Sequence, residues 1–167
     1  MVLVYTDSQD NRFKVEEKVV QILKSYRQVY KKDKEAGGVL LGRFIKGSED
    51  IVVDYITEPM AGDIRGRYKF IRKDIRHQNK IDEVWQESDG TCNYLGDWHT
   101  HPEDDPVPSN VDQANWLRKL KEDKYSGRYL YFLIVGLIVV SIWRADNQTG
   151  AIEKLNYEKT YTEISED

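Results

Sequence analysis

Two histidines, a serine and an aspartate at fixed spacing form the pattern in this sequence that is best suited to chemistry. The pattern is H-x-H-x7-S-x2-D, and it comprises His99, His101, Ser109 and Asp112. On a strand, side chains two residues apart project from the same face, so both imidazoles point the same way. Imidazole and carboxylate groups suit Zn2+, and three protein ligands leave a fourth coordination position open for water. The spacing therefore predicts a catalytic zinc site, as in a metallohydrolase.

The same residues also fit structural roles. Ser109 and Asp112 lie three residues apart, so they share a helix face and match a capping box, with Ser109 as the N-cap. An H-x-H pair alone often occurs without metal. The chain has three histidines, however, and two of them fall within the pattern. We therefore favour metal binding, and capping can hold at the same time.

Together with a glutamate much earlier in the sequence, this pattern resembles the motif of a known family. Glu35 precedes Gly37 and Gly38 in the segment EAGGVLLG, which is similar to the E-x-G-G-x-L-L-G strand of the JAMM (MPN+) metalloproteases. In those proteins the glutamate is followed by H-S/T-H-P and then by S-x-x-D. The resemblance covers roughly residues 13–143. It implies zinc as the cofactor, with roles for five residues: His99, His101 and Asp112 as zinc ligands, Glu35 as general base, and Ser109 as a donor to the oxyanion.

The chemistry that the resemblance implies is hydrolysis of an amide. A bound zinc lowers the pKa of water from about 15.7 to about 7. Glu35 would take the water proton and return it to the departing amine, while the Ser109 hydroxyl donates to the tetrahedral oxygen. Without the resemblance, Glu35 is more simply interpreted as a charge at the end of a solvated helix.

The family also implies a class of substrate. JAMM enzymes cleave peptide or isopeptide bonds after the C terminus of ubiquitin and ubiquitin-like modifiers. The compact chain, its G-D-W-H-T-H-P-E segment and Trp116 resemble the bacterial members of CBASS antiphage operons, which release a conjugated cGAS-like nucleotidyltransferase from its targets. Two alternatives stay open: a JAMM peptidase that processes a sulfur-carrier or ubiquitin-like precursor, and a non-catalytic MPN scaffold. The family position of loop 62–68 implies a substrate-facing segment.

The composition of the chain limits the classes of molecule that it is expected to bind and the cellular compartment that it suits. A formal net charge of −4 over 167 residues gives no basic footprint for nucleic acid. The single cysteine, Cys92, excludes an internal disulfide and suits the cytoplasm. We interpret it as a structural thiol, with a nucleophile near His99 as the alternative.

We expect no signal peptide, and the apolar segment 129–143 is shorter than the roughly 20 residues of a membrane span.

These side chains must be positioned by a mixed fold. The resemblance implies an α/β (α+β) class with a single MPN/JAMM domain over residues 1–158, a cytidine-deaminase-like mixed curved sheet flanked by helices, and a polar tail over 159–167. Periodicity predicts strands at 1–5, 37–44, 51–57, 93–101 and 152–157, two buried strands within 129–143, and helices at 13–32, 73–85 and 109–123. Residues 58–67 are predicted as a loop and His77 as an exposed helix residue. The acidic run 103–105 is predicted as a solvated turn, with docking of a basic substrate tail as the alternative.

Overall fold

A computed structural model describes residues 1–158, so the predicted tail at 159–167 lies outside the described part of the chain. The strands are β1 (Leu3–Thr6), β2 (Arg12–Val15), β3 (Gly37–Phe44), β4 (Ile51–Ile56), β5 (Ile64–Gly66), β6 (Lys69–Ile71), β7 (Asn93–Thr100), β8 (Tyr129–Val135), β9 (Val140–Asp146), β10 (Ile152–Lys154) and β11 (Asn156–Glu158). The helices are α1 (Glu17–Ser25), α2 (Arg76–Glu87) and α3 (Asn110–Glu122).

Nine of these strands form one curved sheet in the order β10-β9-β8-β7-β3-β4-β2-β1-β11. The β2–β4 and β7–β8 pairs are parallel, and the other pairs are antiparallel. The strands at the two ends of this order, β10 and β11, are consecutive in the chain and separated only by Leu155. The ends of the sheet must therefore approach each other, which makes the sheet nearly closed. This architecture confirms the predicted mixed curved sheet flanked by helices.

Strand β8 shows why the segment 129–143 is so apolar. Its side chains alternate between two clusters: Tyr131, Leu133 and Val135 pack with α1, and the intervening residues pack with α2 and α3. Because both faces are covered, nearly every position must be apolar. The segment turns at Gly136 into β9, as predicted. Among residues 1–158, no helix combines the length and the apolar character needed to cross a membrane.

The predicted helix over 13–32 is wrong at both ends. Phe13 and Val15 belong to β2, which pairs antiparallel with β1 and parallel with β4. The helix proper covers Glu17–Ser25 and buries Val19, Val20 and Leu23. The apolar positions of a short strand and of the following helix merge into one pattern in the sequence, because a strand of two alternations is too brief to show its own period.

Two further predictions need correction. The predicted loop 58–67 contains β5, which pairs with β6 as a separate two-stranded hairpin. His77, predicted as exposed, is completely buried at the start of α2. Its Nδ1 lies 2.6 Å from the Thr57 hydroxyl, and its Nε2 lies 2.7 Å from the Asp63 carboxylate. Long-range hydrogen bonds therefore satisfy a polar residue that the helix pattern alone places in solvent.

Candidate active site

Strand β7 and the residue after it bring the two motif histidines to one point. His99 and His101 lie on the same face, with their Nε2 atoms 3.0 Å apart. Between them, Thr100 points to the opposite face and is fully buried. The strand is held between β3, its antiparallel neighbour, and β8, its parallel one. Both imidazoles therefore project from a central, well-supported strand.

Helix α3 supplies a carboxylate from the other side. The two oxygens of Asp112 face the two rings: Oδ1 lies 3.4 Å from Nε2 of His99, and Oδ2 lies 3.1 Å from Nε2 of His101. Burial acts to raise the pKa of Asp112, but hydrogen bonds to the two histidines outweigh it and hold the pKa well below its ordinary value. Asp112 is therefore an anion at neutral pH.

The capping box predicted for α3 is present. The Ser109 backbone N–H donates to Oδ2 of Asp112 at 2.9 Å, and the Asp112 backbone N–H donates to the Ser109 hydroxyl oxygen at 3.0 Å. A carboxylate has about four lone-pair sites, so Asp112 can accept this bond and still bind a metal. The serine oxygen acts as the acceptor, which leaves its hydroxyl hydrogen able to donate to a substrate in the cleft.

The three side chains fit a zinc ion. One ligand atom from each of His99, His101 and Asp112 lies within 4.8 Å of the others. Ligands held at about 2.0–2.1 Å in a tetrahedron are separated from each other by about 3.3 Å. In the structure the two Nε2 atoms are 3.0 Å apart, and each lies 3.4 or 3.1 Å from one of the two Asp112 oxygens, which is close to that value. The donor set and its spacing therefore suit zinc, with one position left for a non-protein ligand.

Glu35 lies beside this group at the entrance to β3. Its side chain is 5% exposed and lines the same cleft as the two histidines and Asp112. Burial raises the pKa of Glu35 to about 8; His101 lowers it, and the neighbouring carboxylates of Asp112 and Glu103 raise it. A pKa near the working pH lets a carboxylate both accept and donate a proton.

The cleft that contains these residues has a volume of about 720 Å3. The β5–β6 hairpin forms one wall and α3 the other, with Tyr68 and Phe70 on the hairpin side. A Cβ atom at Gly38 would lie 2.1 Å from the Thr57 carbonyl oxygen, and one at Gly37 would lie 2.5 Å from the Phe70 ring. The two glycines therefore let the neighbouring loop and the hairpin approach β3 closely.

Comparison with known proteins agrees with this geometry. The family model described as prokaryotic homologs of the JAB domain matches residues 18–151. The chain belongs to this family. A relative from Escherichia coli strain TW11681 is 42% identical over 92% of this chain and 93% of its own length. A relative from Vibrio cholerae serotype O1 is 40% identical over 80% of this chain and 82% of its own length. Both are named CD-NTase/cGAS isopeptidase.

A solved structure supports the fold. The solution structure of a protein from Desulfitobacterium hafniense has a TM-score of 0.59 and 20% identity, covering 84% of this chain and 87% of the other. At that identity the likeness concerns the fold alone. The resemblance to JAMM proteins and the predicted fold class are thus confirmed. The roles assigned to the five motif residues stay predictions, although the structure brings all five to one cleft.

One residue that the sequence patterns did not identify, Gln28, supports the Glu35 segment of this JAB-family chain. It is 1% exposed, and its Oε1 accepts a hydrogen bond of 2.9 Å from the Thr100 hydroxyl. Its Nε2 donates to the carbonyl oxygen of Arg67 at 2.8 Å and to that of Asp33 at 3.3 Å. Gln28 thus joins β7, the hairpin and the loop before Glu35. A buried glutamine has no periodic signal in the sequence.

Cys92 takes the structural role predicted for it. Its side chain is 4% exposed and packs in the cluster under α2 and α3. Burial raises the pKa of the thiol to about 11, so the thiolate is scarce at neutral pH. Cys92 is also absent from the residues that line the described cleft. These observations disfavour the alternative of a cysteine nucleophile.

Proposed function

We propose that this chain is a zinc-dependent isopeptidase that releases a cGAS-like nucleotidyltransferase from proteins to which its C terminus is joined. The observation that carries this proposal is the set His99, His101 and Asp112 beside Glu35 in one cleft. The names of the relatives supply the substrate class. We also propose that the chain acts in CBASS antiphage defence and, because a single cysteine suits a reducing compartment, in the cytoplasm.

The chain's own residues account for the proton transfers of amide hydrolysis. A zinc ion held by His99, His101 and Asp112 would supply Lewis-acid activation of water and of the scissile carbonyl. Glu35 accepts a proton as the water oxygen bonds to the carbonyl carbon. The C–N bond then breaks, Glu35 returns the proton to the leaving nitrogen, and the products are a C-terminal carboxylate and a free amine.

Ser109 and the cleft walls complete the arrangement. The Ser109 hydroxyl faces the cleft and is able to donate to the oxygen that becomes negative in the tetrahedral intermediate. The two-stranded β5–β6 hairpin lies along the cleft. An extended substrate tail can add to such a short sheet, since main-chain hydrogen bonds give affinity without a sequence requirement.

The two alternatives make different demands on the molecule. A non-catalytic scaffold has no need for Glu35, the metal-binding set and Ser109 together, and the cleft contains all of them. Processing of a sulfur-carrier or ubiquitin-like precursor uses the same chemistry, so only the substrate separates it from our proposal. The relatives' names favour the nucleotidyltransferase.

A panel of tail fusions tests the proposal. The zinc-loaded protein is incubated with reporters fused to the C terminus of a cGAS-like nucleotidyltransferase, of ubiquitin or of a sulfur carrier, and products are identified by intact mass. The control is Glu35→Gln, which keeps the shape of the side chain but cannot accept the proton. We expect Glu35-dependent cleavage after the last residue of the nucleotidyltransferase tail. Cleavage that persists in Glu35→Gln, or cleavage of another tail alone, would contradict the proposal.

A further inference from the structure

His101 turns one ring nitrogen toward the metal site and the other away from it. Its Nε2 lies 3.0 Å from Nε2 of His99 and 3.1 Å from Oδ2 of Asp112, so Nε2 is the atom that can bind zinc. A neutral imidazole that binds a metal through Nε2 carries its proton on Nδ1. Nδ1 of His101 is buried and forms no hydrogen bond within residues 1–158. The N–H of the ligating ring therefore needs an acceptor.

The carboxylate of Glu103 lies where that acceptor is needed. Its Oε1 is 3.1 Å from Nδ1 of His101, but the angle of the contact is not that of a hydrogen bond. The Glu103 side chain is 46% exposed, so the carboxylate can rotate into line without disturbing the core. Because a buried N–H without an acceptor is unfavourable, a proton on Nδ1 favours this alignment.

The backbone of Glu103 is held in place by the end of β8 and the turn that follows it. The Leu137 N–H donates to the Glu103 carbonyl oxygen at 2.7 Å, and the His101 N–H donates to the carbonyl oxygen of Val135 at 3.0 Å. A Cβ atom at Gly136 would lie 2.8 Å from the Glu103 carbonyl oxygen, so the glycine permits this close approach. The same short segment therefore fixes Glu103 and His101 relative to each other.

The two acidic residues that follow Glu103 have no such contact. Asp104 and Asp105 are exposed, and within the described part of the chain their carboxylates form neither a hydrogen bond nor an ion pair. The predicted solvated turn describes these two residues, and docking of a basic tail stays a prediction for them. Glu103 alone among the three is in contact with a proposed zinc ligand.

We propose that Glu103 is a positioning residue of the zinc site: its carboxylate accepts the Nδ1–H of His101 and thereby orients the ring. The inference rests on the zinc site of the proposed function and adds a residue to it. A carboxylate that accepts from a ligating histidine fixes the tautomer of the ring and makes the ligating nitrogen more basic. Loss of such a partner weakens metal binding by about 10- to 100-fold.

Zinc affinity tests this proposal without turnover. The dissociation constant of zinc is measured by competition with a chromogenic chelator for the wild type, Glu103→Ala and Asp104→Ala. Asp104→Ala is the matched control, since it removes a carboxylate of the same charge from the next position of the loop. The Tm of each zinc-free protein is measured as well, and we expect all three values to agree because both side chains are exposed.

We expect Glu103→Ala to bind zinc about 10-fold or more weakly than the wild type. Asp104→Ala should bind zinc nearly as the wild type does, because solvent screens an exposed charge. Wild-type affinity in Glu103→Ala would overturn the proposal, and so would an equal loss in both variants, which would attribute the effect to net charge. Either result leaves the proposed zinc enzyme intact, whereas a wild type that binds no zinc would contradict the proposed function as well.

The imidazole N–H signals in an NMR spectrum report the hydrogen bond itself. The chain contains three histidines, so isotopic labelling of histidine nitrogens gives a simple spectrum of the zinc-loaded protein. We expect a downfield N–H signal in the wild type and in Asp104→Ala that is lost to exchange with water in Glu103→Ala. Absence of this signal from the wild type, or an unchanged signal in Glu103→Ala, would overturn the proposal.

Discussion

Asp112 illustrates how one side chain can serve the local structure and the metal site together. One of its oxygens accepts the hydrogen bond from the Ser109 backbone that closes the capping box, and both oxygens face the histidines. The cap fixes the rotamer of the carboxylate before any metal binds. A ligand that is already oriented loses less conformational entropy on binding. The start of α3 therefore prepares the metal site as well as ending the loop.

The role of Ser109 can be separated from capping by two substitutions. Ser109→Ala removes the cap and the hydroxyl, and should cost about 1 kcal/mol of stability. Ser109→Gly removes the hydroxyl but should cost only a few tenths of a kcal/mol, since glycine is a tolerated N-cap. We expect both variants to retain zinc and to lose kcat by about 10²-fold or more. A normal rate in Ser109→Gly would restrict Ser109 to capping.

At the scale of elements, the segment that carries Glu35 has no helix or strand of its own. Hydrogen bonds from neighbouring elements fix it: the Glu35 N–H donates to the carbonyl oxygen of Gly66 at 2.7 Å, and its carbonyl oxygen accepts from Arg65 at 2.8 Å. Gln28 adds hydrogen bonds to the carbonyl oxygen of Asp33, in the loop before Glu35, and to that of Arg67, in the turn of the hairpin. The position of the proposed base thus depends on the hairpin.

Replacement of Gln28 tests this dependence. Gln28→Leu keeps the volume but leaves the Thr100 hydroxyl and two carbonyl oxygens without their partner, which should cost about 1–3 kcal/mol of stability. We expect a lower Tm and a lower kcat, with the zinc content unchanged. The matched control is Gln21→Ala on the exposed face of α1, which should change neither property. Wild-type kcat in Gln28→Leu would show that Glu35 is positioned without this network.

The loop that leads into the hairpin depends on Asp63. Its carboxylate accepts hydrogen bonds from the backbone of Met60, Lys73 and Asp74 and from His77. Burial acts to raise the pKa of Asp63, but these bonds outweigh it and hold the pKa below its ordinary value of 3.8. The anion therefore stabilises the fold above that value, and the contribution is lost as pH falls through the lower folded pKa.

Asp63→Asn should reveal this pH dependence. We expect its Tm to lie well below that of the wild type at pH 7, and the difference to shrink as the pH falls below 3.8, because the wild-type carboxylate then becomes neutral too. Asp105→Asn, at an exposed position, is the control for a simple change of net charge. A difference in Tm that stays constant with pH would indicate that the carboxylate's charge has no role here.

At the scale of the whole molecule, the metal site lies at a junction of elements and outside the two apolar clusters. The ligands come from β7, the residue after it, and α3, whereas the clusters cover both faces of the sheet. Folding should therefore proceed without metal, and zinc should add stability by binding only the folded state.

Removal of the metal tests this separation. After treatment with a chelator, we expect the far-UV circular dichroism to stay the same and the Tm to fall. Added zinc should restore the Tm, with about 2.7 kcal/mol of stabilisation at 100 times the dissociation constant. Asp112→Ala should show little response to zinc. Loss of secondary structure on chelation would mean that the metal is required for the fold itself.

Part of this protein can be predicted from its sequence. The two halves of the motif depend on short-range geometry, since the period of a strand brings His99 to His101 and the period of a helix brings Ser109 to Asp112 without knowledge of the remainder of the fold. The apolar segment that becomes β8 and β9 can also be predicted from the sequence, because burial on both faces requires continuous apolar residues. The predicted strand at 37–44 was also confirmed.

The tertiary structure decided what local periods do not encode. Gln28 meets Thr100 across 72 positions of the chain, and His77 is buried by Thr57 and Asp63 rather than by its own helix face. The cleft itself arises because residues of β6 and of α3, far apart in the sequence, line the same space. The period of a strand or helix determines which neighbouring residues share a face, but only packing brings distant segments together, and those contacts position the base and shape the cleft.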